Sequence, residues 1–160
     1  SDGLKGLRQE FHQYRFQHSQ VHQLMTIRAK LTLHHKLQAS QDLLGIAKML
    51  CHTDKDSFIG ALTAWHEKWK DFINERAKGV DGKTHYVHKN TRSAYLSLKR
   101  NMPCLWTFYD FPELQIPNTN NELEALNSTL KAKLNIHKGI SKERRKVIIQ
   151  DFLKAHSPCR

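Results

Sequence analysis

The residues from Phe58 to Ile73 constrain this chain more than any other stretch. Phe58, Ile59, Leu62, Trp65, Trp69, Phe72 and Ile73 recur at helical spacing, and two tryptophans four residues apart put two large rings on one helix face. A single helix cannot cover such a stripe, so a second apolar surface must pack on it. Leu37, Leu43, Leu44, Ala47, Leu50 and Cys51 offer that surface just upstream. Thr53-Asp54-Lys55-Asp56 separates the two runs with a polar break and an N-cap, so Lys36 to about Lys78 is expected to form a helical hairpin. The aromatic stripe is its core rather than a platform for stacked bases. His34, His35, His52 and His66 share no regular ligand spacing, and no zinc site is assigned to them.

Around the hairpin the chain reads in short pieces. Ser1 to Leu7 is a glycine-containing turn entering a helix that ends near His12. Tyr14 to Gln20 alternates large and polar residues and predicts a short strand, followed by a helix through Leu24, Ile27, Arg28 and Leu31. Lys78 to Lys83 is a turn-rich loop. The second half of Thr84–Arg100 predicts a helix with Tyr95 and Leu98 inward and Arg92, Lys99 and Arg100 outward. Met102 to Phe111 is an aromatic loop expected to pin this helix against the segment that carries Glu124. After a glycine stop at Gly139, Ser141 caps a last helix through Val147, Ile148, Phe152 and Leu153. Lys142, Arg144, Arg145 and Lys146 crowd its first turns, where positive charge opposes the helix dipole; that local cost suits a surface meeting phosphate.

Ile116 to Asn127 is the stretch richest in chemistry. A proline-ended loop leads into Asn118, Thr119, Asn120 and Asn121, each able to cap a helix. Leu123, Leu126, Leu130 and Leu134 then form an anchoring stripe, flanked by Glu122 and Glu124 about 100° to either side. Either carboxylate can face a cleft, and periodicity does not choose between them.

Charge narrows the class of partner. The 26 Lys and Arg against 15 Asp and Glu give a formal net charge of +11 over 160 residues. Such an excess suits a polyanion, because neutralising phosphates releases condensed counterions. Cys51, Cys104 and Cys159 are odd in number and form no spaced framework, which points to a reducing compartment. No apolar run approaches the roughly 18–20 residues of a membrane span, and no signal peptide opens the chain.

Five motifs in order carry a family resemblance. They are Ser1-Asp2-Gly3-Leu4-Lys5-Gly6, Ser19-Gln20-Val21-His22, Arg92 to Arg100, Pro117-Asn118-Thr119-Asn120-Asn121-Glu122-Leu123-Glu124 with Leu130-Lys131, and His137-Lys138-Gly139 with Ser141 to Arg145. Together they resemble the C-terminal part of bacterial insertion-sequence transposases of the Mutator-like Asp-Asp-Glu group. The resemblance implies that Asp2 is the second acid and Glu124 the third, both catalytic and both ligands of a two-metal site holding Mg²⁺ or Mn²⁺. His22 and Asn121 become supporting residues. Where the family usually has Cys, this chain has Ser19, a far weaker metal ligand. Arg92, Lys99, Arg100, Lys142, Arg144, Arg145 and Lys146 become DNA-backbone contacts, which give affinity without reading sequence. The implied activity is metal-dependent DNA cleavage and strand transfer at transposon ends, in a bacterial cytoplasm beside the nucleoid, by a homo-oligomer on DNA and with no membrane.

The implied fold is mainly α in this fragment, the late part of a ribonuclease-H-like α/β catalytic core interrupted by a helical insertion. Residues 1–22 would belong to the core with the second Asp, 23–112 to the insertion, and 113–160 to the returning core. The chain begins with Ser and reaches its first motif at once, so it reads as a piece of a longer protein. Lacking the first acid, it is expected to be inactive alone. The other classes its sequence permits are a non-catalytic helical DNA-binding module and an inactive transposon remnant.

Overall fold

The computed structural model describes every residue except 1–4, 11, 32–35, 81, 120, 137–138 and 157–160. Seven α-helices and one small two-stranded sheet account for the regular structure among the described residues. The chain divides into two compact units, Ser1–Thr119 and Asn120–Arg160.

The first unit is built on the expected hairpin. Helix α3 spans Gln38–Met49 and α4 spans Lys55–Asn74. Asp54 caps α4 by accepting from the Ser57 N–H at 2.9 Å, which satisfies one of the amides a helix start leaves free. Leu43 and Ala47 of α3 are buried against Phe58, Leu62 and Trp65 of α4. Two further helices complete the core: α2, Gln20–Leu31, supplies Ile27 and Leu31, and α5, Lys89–Asn101, supplies Ala94, Tyr95 and Leu98. Tyr95 stacks on Trp65 with ring centroids 5.4 Å apart, and Trp106 packs on Phe58 at 5.2 Å. Each fully buried Leu, Ile or Phe here contributes roughly 1.5–3 kcal/mol relative to exposure.

Between α2 and α5 polar links add to the apolar contact. The Gln23 amide donates to Ser97 Oγ at 3.2 Å, while its oxygen accepts from Asn101 Nδ2 at 2.7 Å and from His18 Nε2 at 3.1 Å. Near the other end of α2, Lys30 Nζ donates to Ser93 Oγ at 2.8 Å. Gln23 is fully buried, so each of these bonds replaces one that water provides in the unfolded chain.

The strand predicted over Tyr14–Gln20 does not form. Helix α1 spans Lys5–Glu10; residues 15–19 are irregular, and α2 already begins at Gln20. A strand needs a neighbouring strand for its backbone groups, and the aromatic loop takes that place. The His18 N–H donates to the Cys104 carbonyl at 2.7 Å, Thr107 Oγ1 donates to the Phe16 carbonyl at 2.8 Å, and the Phe108 N–H donates to Gln17 Oε1 at 3.1 Å. The loop itself winds as short 3-10 turns at Met102–Cys104, Thr107–Asp110 and Pro112–Leu114. The loop thus holds residues 16–20 and covers Phe58.

The turn-rich loop expected over Lys78–Lys83 is the tip of a hairpin, whose two flanking strands the sequence pattern did not announce. Strand β1, Arg76–Lys78, pairs antiparallel with β2, Thr84–Tyr86, in the register Arg76 with Tyr86 and Lys78 with Thr84. Gly82 turns the chain at φ +73°, a conformation that costs glycine little. The strands are too short, and too exposed, to leave a period-two signal.

The second unit contains α6, Asn121–Ile136, and α7, Lys142–His156. Ser141 caps α7 by accepting from the Arg144 N–H at 3.3 Å. Phe152 is the buried residue of this pair, with Lys133 Nζ 5.2 Å from its ring and His156 stacked at 4.2 Å. Leu126, Leu130 and Leu134 are half-buried, but Leu123 is 55% exposed and does not anchor the helix as its stripe position predicts.

Candidate functional site

Two of the sequence motifs meet in the first unit. Asn118 is not a helix cap: α6 begins at Asn121, and the position before it lies outside the described residues. Its side-chain amide donates to Gln20 Oε1 at 3.1 Å and to the Cys51 carbonyl at 3.4 Å, while its carbonyl accepts from the Gln20 N–H at 3.3 Å. Gln20 Nε2 donates in turn to the Leu105 carbonyl at 3.0 Å. The proline loop is therefore strapped to the first turn of α2, the turn that carries His22. Sequence reading passed over Gln20; its flanking Ser and His were the only signal. Cys51 and Cys104 are both free thiols, and partial burial pushes the Cys51 thiol above its ordinary pKa.

Ser19 has a structural role that accounts for a hydroxyl at this position. It is buried, it precedes α2, and its Oγ accepts from the His22 N–H at 3.4 Å and bonds His22 Nδ1 at 3.0 Å. One side chain thus caps the helix and fixes the imidazole of a half-buried histidine.

Asp2 lies outside the described residues. Glu124 sits in the first turn of α6, where free backbone N–H groups favour a carboxylate. It is half-buried, whereas Glu122, Leu123 and Asn121 are exposed. The two glutamates that periodicity left equivalent thus differ in their surroundings. No three His, Cys, Asp or Glu side chains among the described residues approach closely enough to hold a metal ion. Of the two acids expected in that role, Glu124 is the one that lies among the described residues.

The basic residues fall into three settings. Arg92 is half-buried and immobilised: it donates to Asn74 Oδ1 at 2.7 Å, and its guanidinium lies 4.2 Å from the Tyr86 ring. Arg76 covers the ring as well, at 4.6 Å, and its hydrogen bond to the phenol is the main reason the Tyr86 hydroxyl titrates below its ordinary value. Arg100 shares a groove with Arg92, whereas Lys99 borders a separate apolar hollow with Ile59, His66 and Met102. Lys142, Arg144, Arg145 and Lys146 are exposed on the opening turns of α7, and none pairs with a carboxylate among the described residues.

No family model matches this chain, and neither does any curated protein or solved structure. No helix among the described residues is long and apolar enough to cross a membrane.

Proposed function

We propose that this chain is the later part of the catalytic domain of a DNA transposase of the Mutator-like Asp-Asp-Glu group. Its activity would be metal-dependent cleavage and strand transfer at transposon ends. One observation carries the reading: five short motifs, each weak alone, occur in the family's order from Asp2 to Arg145. The bond between Asn118 and Gln20 supports it, because it joins the loop of the Glu124 motif to the turn of the His22 motif. The half-burial of Glu124, against exposed Glu122, supports the choice of third acid.

In this reading Asp2 and Glu124 belong to a ribonuclease-H-like core and hold Mg²⁺ or Mn²⁺ with a further acid. Bound there, the metal ions would spread charge over the attacking and leaving oxygens of a phosphodiester. Glu124 holds its carboxylate at a helix N-terminus, Asn118 fixes the loop before it, and Ser19 orients His22. The cations of α5 and α7 hold the DNA backbone and position it without reading bases. The protein acts on transposon ends and target DNA, as an oligomer, in the bacterial cytoplasm.

A non-catalytic DNA-binding module is the second reading. The exposed cations of α7 favour it, since they account for binding without using either acid. Glu124→Gln in the complete protein separates the two. The transposase reading expects DNA binding to persist and Mg²⁺-dependent nicking of a transposon end to vanish, while Glu122→Gln cuts normally. Nicking by Glu124→Gln at the unmodified rate overturns it.

A further inference from the structure

A groove of about 360 Å³ runs along one face of α5, between α2 and the hairpin strand β2. Lys30, Lys89, Arg92 and Arg100 line it, with Tyr86 and Ser93. On α5 the groove residues Lys89, Arg92, Ser93 and Arg100 follow helical spacing, so they share one face. From Lys89 to Arg100 that face runs about 16 Å at a helical rise of 1.5 Å per residue. No carboxylate lines the groove, and none of its four cations forms an ion pair among the described residues. Lys30 is steered by Ser93, and Arg92 is clamped by Asn74 and the Tyr86 ring.

Four like charges on one face repel one another, and a protein that only needed solubility would intersperse acids. Holding Arg92 and Lys30 in place is worthwhile when a ligand of fixed geometry is to be met, because orientation is then settled before binding. The cations are spread over too great a length for one phosphate ion. A nucleic-acid strand presents one charge per ~3.4 Å of helix axis, and so meets several of them at once.

We propose that this groove binds the phosphodiester backbone of a nucleic acid, with Lys30 and Lys89 joining Arg92 and Arg100 as contacts. That the nucleic acid is duplex DNA rests on the transposase reading; the preference for phosphodiester rests on the groove. Lys99 is excluded from the set, and the hairpin gains a function: Tyr86 holds the guanidinium of Arg92 toward the strand.

The test is metal-free binding of duplex DNA of arbitrary sequence to the full chain, followed by fluorescence anisotropy across about 0.05–0.3 M salt. Lys89→Gln/Arg100→Gln is the variant of choice, because both side chains are exposed and removing them leaves the fold intact. Each lost phosphate contact is expected to weaken binding about eight-fold near 0.1 M salt and to lower the salt slope by about one. Lys48→Gln/Lys55→Gln removes the same charge from exposed sites elsewhere and should leave the slope unchanged. Equal losses in both double variants, or none in the first, overturn the proposal. So does binding to phosphatidylserine vesicles in preference to DNA, if the groove variant abolishes it. The Glu124→Gln result is independent: normal nicking by that variant, with DNA binding still lost in the groove variant, removes the transposase reading and leaves the groove.

Discussion

Asn118 and Gln20 are joined twice, once through side-chain amide to side-chain oxygen at 3.1 Å and once through backbone N–H to backbone carbonyl at 3.3 Å. The pair ties the loop ahead of α6 to the first turn of α2, and Gln20 is fully buried beneath it.

Asn118→Ala removes the amide and leaves Gln20 Oε1 buried without its donor. A loss of about 1–3 kcal/mol is expected from the unsatisfied acceptor. Chemical denaturation measures the total, and amide exchange should show faster opening at the first turn of α2. An unchanged midpoint would mean that water reaches Gln20 as the loop relaxes.

Ser19→Ala tests the neighbouring cap. Loss of the Ser19 hydroxyl should cost about 1 kcal/mol, as for other N-caps, and should release the His22 ring. The expected readout is a lower melting temperature together with a shifted His22 imidazole resonance. Stability lost without any change at His22 would show that the hydroxyl acts only as a cap.

Two tryptophans of the core predict unequal responses to the same change. Trp65 Nε1 donates to the buried Ala39 carbonyl at 3.0 Å, whereas the buried Trp106 Nε1 has no partner among the described residues. Trp65→Phe therefore costs ring volume plus the net worth of one hydrogen bond, about 0.5–1.5 kcal/mol, since the Ala39 carbonyl keeps its place in the α3 ladder. Trp106→Phe costs ring volume but removes an unsatisfied buried donor, so it should be the milder variant. Thermal melts of the two, compared directly, decide this.

Acid should loosen the helical hairpin. Asp42 on α3 accepts from Gln38 of its own helix and from Lys68 and Trp69 of α4, and the Gln38 bond is the leading reason its pKa lies below 3.8. A carboxyl depressed in the folded state stabilises fully above its unfolded pKa, and that stabilisation fades as pH falls through the folded value. Asp42→Asn should melt lower than the unmodified chain near neutrality, and the gap should close as the pH falls through the depressed folded-state pKa. A gap that stays constant with pH would assign the effect to packing.

What was legible in the sequence was whatever repeats at a helical period. The helical hairpin stands from α3 to Asn74, short of the expected end near Lys78 because Arg76–Lys78 is a strand. A cap within Thr53–Asp56 (it is Asp54), the inward Tyr95 and Leu98 and the Ser141 cap stand as read. The apolar pattern fixes a helix and its buried face, because burial of that face is the main energy the helix gains. Tertiary structure alone decided matters that depend on a distant partner. Residues 15–19 alternate like a strand but pair with Cys104, Thr107 and Phe108, so no ladder forms. The hairpin at Arg76–Tyr86 is made by backbone bonds and a left-handed glycine, which leave almost no trace in side-chain pattern. Leu123 matches its stripe yet is exposed, since periodicity states which way a residue faces and not whether anything lies there. Charge divides in the same way. Composition determined that the chain is strongly basic, but only the packing of α2, α5 and β2 gathered Lys30, Lys89, Arg92 and Arg100 into one groove, because residues far apart in sequence share a surface only once the core is closed.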